Sequence, residues 1–199
     1  MVDLSSKIKE RIVNDPFNFV FYNDLNLAKK DFMIISLNPG KSTTPEESKK
    51  ICDVKDDYGE LINTYQYGLK KYIGKVQQEV FWIEFFGLIK KCGGKTNLNP
   101  NNFLETIHFT DVFKQREPDK SQKDYFLNLL KEEFALVNPK YLFVFGKEAK
   151  KYVSSLNLKG SIKTWELPHY SNRFYRKDKT KDKRIIKIQE IKEEMEVRG

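Results

Sequence analysis

Two short loops and one charged run hold the side chains best suited to chemistry. The first loop reads Ser36-Leu37-Asn38-Pro39-Gly40-Lys41-Ser42. Its tail, Gly40-Lys41-Ser42, imitates the end of a phosphate-cradling P-loop. That motif needs a further glycine where Ile35 stands, and Pro39 removes one of the N–H groups that would face the phosphates. The segment therefore reads as a tight strand-to-helix turn carrying an amide, Asn38. The second loop reads Pro168-His169-Tyr170-Ser171. A lone histidine is more often structural than catalytic. Here it follows an apolar run and precedes the third feature, residues 173–187. That run has eight basic residues against two acidic, a surplus of six in a chain whose total surplus is eight. With Phe174 and Tyr175 among them, these charges have the pattern expected of a surface that meets a phosphate backbone. A solvated, lysine-rich connection is the other reading.

The elements that must position these loops follow from hydrophobic periodicity. Four short apolar runs read as buried strands: 32–35, 107–109 continuing to 112–113, 141–145 and 162–165. The third is bounded by Pro139 and Gly146 and has the continuous apolar character of a strand covered on both faces. Helical spacings of three and four run from Val80 to Ile89 before Gly93-Gly94, and from Tyr125 to Phe134 before Pro139. A short helix is expected over 147–156, and a C-terminal one carries Ile185, Ile188, Ile191 and Met195. Strands alternating with helices imply parallel pairing and right-handed crossovers. The expected fold is a three-layer α/β/α sandwich with a central four-stranded parallel sheet. One domain over residues 1–199 is expected, with a basic loop and C-terminal helix from about 173. Ligands of such sheets bind beyond the carboxyl ends of the strands, where both loops fall.

Composition removes other classes. Cys52 and Cys92 are too few for a disulfide scaffold, a four-cysteine zinc site or an iron–sulfur cluster. His108 and His169 are the only histidines, so no metal and no other cofactor is expected. No apolar run approaches the roughly 20 residues that span a bilayer, and Met1–Lys7 lacks the apolar stretch of a signal peptide. The expectation is a protein of the cytoplasm or another DNA-containing compartment, not secreted and without a membrane partner.

Together these features resemble the uracil-DNA glycosylase superfamily. Ser36-Leu37-Asn38-Pro39-Gly40 is similar to the first active-site motif of its mismatch-specific, thymine-DNA and single-strand-selective branches. His169-Tyr170-Ser171-Asn172-Arg173 resembles the second motif, His-Pro-Ser followed by a residue wedged into the duplex. Phe81-Trp82 is similar to the Phe-Trp pair of the mismatch-specific branch, and 138–149 to the third strand and its helix. The likeness covers about residues 31–176, and the lack of four ligating cysteines argues against the iron–sulfur branches.

The resemblance implies a hydrolase that cleaves the N-glycosidic bond of a flipped, deaminated or damaged base such as uracil, in base excision repair. His169 would donate a hydrogen bond to the departing base, and Asn38 would hold the attacking water. Leu37 and Asp111 would line the base, with Tyr72 or Tyr67 stacking on it. Ser171, Arg173, Arg176, Lys177 and Lys179 would contact DNA, single- or double-stranded, with the protein acting as a monomer. Two departures stand out. Asp111 occupies the place where several branches carry an asparagine that reads the uracil edge, and Tyr170 replaces the usual proline. No carboxylate stands in the first motif either. A catalytically weak or inactive nucleic-acid-binding member of the superfamily is therefore the alternative.

Overall fold

The computed structural model describes residues 3–24, 28–39, 44–76, 80–95, 97–99, 102–117, 119–158, 162–169 and 182–197. In chain order the elements are α1 (Leu4–Asn14), β1 (Phe32–Ser36), α2 (Pro45–Val54), α3 (Tyr58–Val76), α4 (Val80–Lys91), α5 (Phe103–Thr106), β2 (Ile107–Asp111), α6 (Lys123–Val137), β3 (Tyr141–Phe145), α7 (Lys147–Ser154), β4 (Lys163–Leu167) and α8 (Lys183–Val197). A 3-10 turn, Lys120–Gln122, leads into α6.

The four strands form one parallel sheet in the order β2-β1-β3-β4. Successive strand residues point to opposite faces, and this alternation separates two cores. Met33, Ile35, Leu142 and Val144 face Ile8 and Ile12 of α1, Phe126 and Leu130 of α6 and Ala149 of α7. Phe32, Ile34, Phe109, Phe143 and Phe145 face Phe81, Trp82, Phe85 and Leu88 of α4 and Ile188 and Ile191 of α8. The result is the expected three-layer sandwich. The Phe81-Trp82 pair belongs to the second core: both rings are buried, and Phe81 meets Phe145 edge-on with centroids 6.0 Å apart.

Sequence punctuation ends the helices as expected. α4 stops where Gly94 N–H bonds the Ile89 carbonyl, and a Cβ at Gly94 would lie 2.6 Å from the Ile89 side chain. α6 stops at Asn138, whose left-handed conformation (φ 46°) closes the helix onto Phe134 before Pro139. β4 begins at Lys163, one residue later than its apolar pattern suggests. It is the edge strand, and Lys163 and Thr164 are exposed. The helices α1, α2 and α3 have no counterpart in the periodicity reading.

Part of the basic run departs from the expectation of an exposed charged segment. Asp182 and Arg184 are buried, paired at 2.6 Å, with the Arg184 guanidinium 4.9 Å from the centre of the Phe81 ring. This pair anchors the start of α8 against α4 and is a packing feature, not a contact surface.

Candidate active site

The site is built where the carboxyl ends of three strands meet. Backbone pairing between β1 and β2 carries on past their ends: Val112 N–H bonds the Ser36 carbonyl at 2.8 Å and Phe113 N–H bonds the Leu37 carbonyl at 2.9 Å. Asn38 is thereby held one step beyond a rigid ladder. Its side-chain amide donates to the Arg116 carbonyl at 3.3 Å and to the Pro39 carbonyl at 3.2 Å. Leu37, half-buried, packs against the α1/α6 core.

Asp111 ends β2 in register with Ser36. It is 2% exposed, and the Ser36 hydroxyl donates a short hydrogen bond to its Oδ1. Burial pushes its carboxyl up to about 7, against the opposing pull of the Ser36 bond and the Lys114 charge. A carboxyl that is about half protonated at neutral pH can both donate and accept.

Behind Asp111 lies a buried polar network. Lys114, 1% exposed, donates to the Asp111 carbonyl at 3.0 Å and pairs with Glu133 at 3.0 Å. Thr110 donates to the same Glu133 carboxylate at 3.0 Å. These bonds compensate two charges that would be costly to bury alone. They also fix the end of β2 to α6. Sequence reading missed Glu133, although it sits on the apolar stripe Phe126, Leu130, Phe134 and Val137 of α6. A charge on the buried stripe of a helix was the available signal.

His169 lies two residues beyond β4 and is half-buried. The β3–β4 ladder beside it runs one residue past β3: Gly146 N–H bonds the Leu167 carbonyl at 2.8 Å, and Gly146 adopts φ +93°. A Cβ added at Gly146 would lie 3.7 Å from the His169 Cβ, an ordinary van der Waals contact, so the positive φ and not the space is what favours glycine here. Burial lowers the His169 pKa, which keeps the ring neutral at pH 7. A neutral imidazole still offers one N–H donor.

β3 separates β1 from β4, so the strands that lead to Asn38 and His169 run two strand spacings apart, roughly 10 Å.

Of the remaining expected residues, only Tyr67 has a described side chain. Tyr67, on α3, is 45% exposed; its hydroxyl lies 3.4 Å from Glu46, and the Lys50 ammonium sits 3.7 Å over its ring. Tyr72 falls within α3, with its side chain outside the described residues, as are Tyr170, Ser171, Arg173, Arg176, Lys177 and Lys179. Among the described residues no group of three or more His, Cys, Asp or Glu side chains is arranged to hold a metal ion. No described helix is long and apolar enough to cross a membrane.

An all-parallel sheet with an amide after its first strand and an imidazole after its last defines a class of α/β proteins whose ligand site lies at the carboxyl edge. The chain belongs to the uracil DNA glycosylase superfamily, whose family model matches residues 22–191. The matched span includes every strand and both candidate loops. Membership supports a glycosylase-like function acting on DNA. No curated protein matches the chain.

Proposed function

We propose that the protein is a DNA glycosylase that hydrolyses the N-glycosidic bond of a deaminated or damaged base flipped out of DNA, as a step of base excision repair. The observation that carries this reading is the placement of Asn38 and His169 at the carboxyl ends of β1 and β4 in a superfamily member. The described elements are read as one domain that meets DNA with its carboxyl edge.

The target base lies inside the helix stack, so it must first be extruded toward the carboxyl ends of the strands. As the glycosidic bond breaks, its electron pair moves onto the base and positive charge grows on the sugar. The His169 N–H donates to the base oxygen where that negative charge collects. Asn38 has its amide nitrogen committed to the Arg116 carbonyl, which leaves the oxygen as the acceptor for the attacking water. An amide is too weak a base to deprotonate that water, so its contribution is orientation. Asp111 is assigned to the edge of the base, which its 2% exposed carboxyl can meet only when the base enters beside Ser36.

The experiment is single-turnover excision from labelled oligonucleotides carrying one uracil, hypoxanthine or xanthine, read as alkali-labile strand breaks. Scission of at least one substrate is the expected result. Binding without scission on every substrate overturns the reading in favour of a non-catalytic DNA-binding member.

DNA affinity supplies a separate check. If Arg176, Lys177 and Lys179 each contact a phosphate, neutralising all three should lower the slope of log affinity against log salt by about 2–3, at roughly 0.7–0.9 per contact. Titrations between 50 and 200 mM salt measure it, a range over which such contacts change affinity by about tenfold or more. An unchanged slope assigns the run to a solvated connection.

A further inference from the structure

Asn38 can orient a water only if its own amide is held, and the residues that hold it come from distant parts of the chain. Arg116, whose carbonyl accepts from Asn38, is itself held by contacts to two other segments of the chain. Its backbone N–H bonds the Asn18 carbonyl at 2.9 Å, its Nε bonds the Phe17 carbonyl at 3.1 Å, and its Nη2 pairs with Glu47 Oε1 at 2.5 Å. Both side chains of that pair are largely buried, at 10% and 17% exposure, so solvent screens the pair weakly. The other Glu47 oxygen, Oε2, accepts from the backbone N–H of Thr44 at 3.4 Å, and Thr44 Oγ1 accepts from Glu47 N–H at 3.1 Å in a capping box that starts α2. Asn38 and Thr44, six residues apart in sequence, are thus joined by a chain of contacts through Arg116 and Glu47.

We infer that Glu47 and Arg116 are positioning residues: they form a clamp that fixes the Asn38 amide, and Glu47 stands in the second layer where the first loop lacks a carboxylate. Glu47 does not serve as a base for the water, because one oxygen is taken by the Arg116 guanidinium and the other by the helix cap. The clamp sets the direction of the Asn38 oxygen through the Arg116 carbonyl. Its consequence for catalysis rests on the glycosylase reading above; its consequence for the Asn38 side chain rests on the hydrogen bonds alone.

Glu47→Gln is the informative variant. Glutamine retains the capping box at this position, so α2 keeps its start, while the charge that holds Arg116 is removed. Glu132→Gln, which breaks the Lys7–Glu132 pair of 2.6 Å on the outer face of α6, is the control for loss of an ion pair away from the site. Two measurements are made on each protein. The first is the side-chain amide signal of Asn38 in 15N-labelled protein, identified by its loss in Asn38→Asp. The second is single-turnover excision and oligonucleotide affinity on the best of the three damaged-base substrates. Misplacement of a positioned group by about 1 Å can cost on the order of a hundredfold, and partial release of one clamp about tenfold. Glu47→Gln is expected to shift the Asn38 signal and to slow excision about tenfold, with affinity close to native and a lower melting temperature from the loss of the buried pair, both measurements being made well below it. Glu132→Gln is expected to change neither measurement. An Asn38 signal unmoved by Glu47→Gln overturns the clamp. A moved signal with an unchanged excision rate overturns its role in catalysis. If the native protein excises no substrate, the glycosylase reading fails, and the Asn38 signal alone still decides whether the clamp exists.

Discussion

Replacing His169 with alanine is expected to slow base excision by a hundredfold or more while leaving DNA affinity within a few-fold of native. Removing one preorganised donor from a site of developing charge costs about a hundred- to a thousandfold in rate. The His169 side chain is half-buried beside Gly146, two residues beyond the edge strand, so a melting curve of the variant checks that the fold is kept. Because burial lowers its pKa, the imidazole is already neutral at pH 7. The native rate should therefore show no loss of activity attributable to His169 as pH rises from 7 to 9. Single-turnover rates at saturating enzyme separate the chemical step from binding. An unchanged rate in His169→Ala removes it from the mechanism and makes its place beside Gly146 structural.

Much of this arrangement is legible in the residues because strands buried on both faces leave a simple trace. Tyr141–Phe145 is continuous, apolar and bracketed by Pro139 and Gly146, and β3 has those bounds. β4 is harder to read because an edge strand carries solvent-facing lysine and threonine that dilute the pattern. α2 escapes notice for a related reason: it buries only Ile51, so its sequence is polar around nearly the whole circumference, whereas the stripes Leu4, Ile8, Ile12 of α1 and Leu61, Ile62, Tyr65, Leu69 of α3 are helical signals that were available. The positions of Asn38 and His169 follow from their place at strand ends and from the family resemblance. What the sequence conceals are the long-range polar links. Glu47 and Arg116 are 69 positions apart, and nothing local marks them as partners. Asp182 and Arg184 hide within a run that reads as solvated charge, although together they close over Phe81. Charged residues are read as exposed by default, and only the tertiary fold reveals where a partner makes burial tolerable.

Asp111 should make uracil excision pH-dependent in a way that Asp111→Asn abolishes. The edge of uracil presents N3–H as a donor and O4 as an acceptor. A protonated carboxyl matches both, since one oxygen accepts while the other donates. An ionised carboxylate only accepts, and it then faces O4 with like polarity. The Ser36 hydroxyl already donates to Oδ1, which leaves Oδ2 to carry the proton. With a pKa of about 7, the protonated fraction falls about tenfold for each pH unit above neutrality, to roughly 1% at pH 9. Native uracil excision should fall in the same proportion. Asparagine donates and accepts at every pH, so Asp111→Asn should match the native rate near pH 6 and exceed it by on the order of a hundredfold at pH 9. That ratio corresponds to the roughly 1–3 kcal/mol lost when a buried polar group faces no partner. Stability should move in the same direction. The folded chain holds this proton more tightly than the unfolded chain, so the group's contribution is complete below about pH 4 and is lost as pH rises through about 7. Asp111→Asn carries no such dependence, and its stability relative to the native protein should rise between pH 5 and pH 8 in urea denaturation. If the variant gains stability with pH while uracil excision stays equal to native at every pH, the carboxyl is buried as described but does not read the base, and other residues select it.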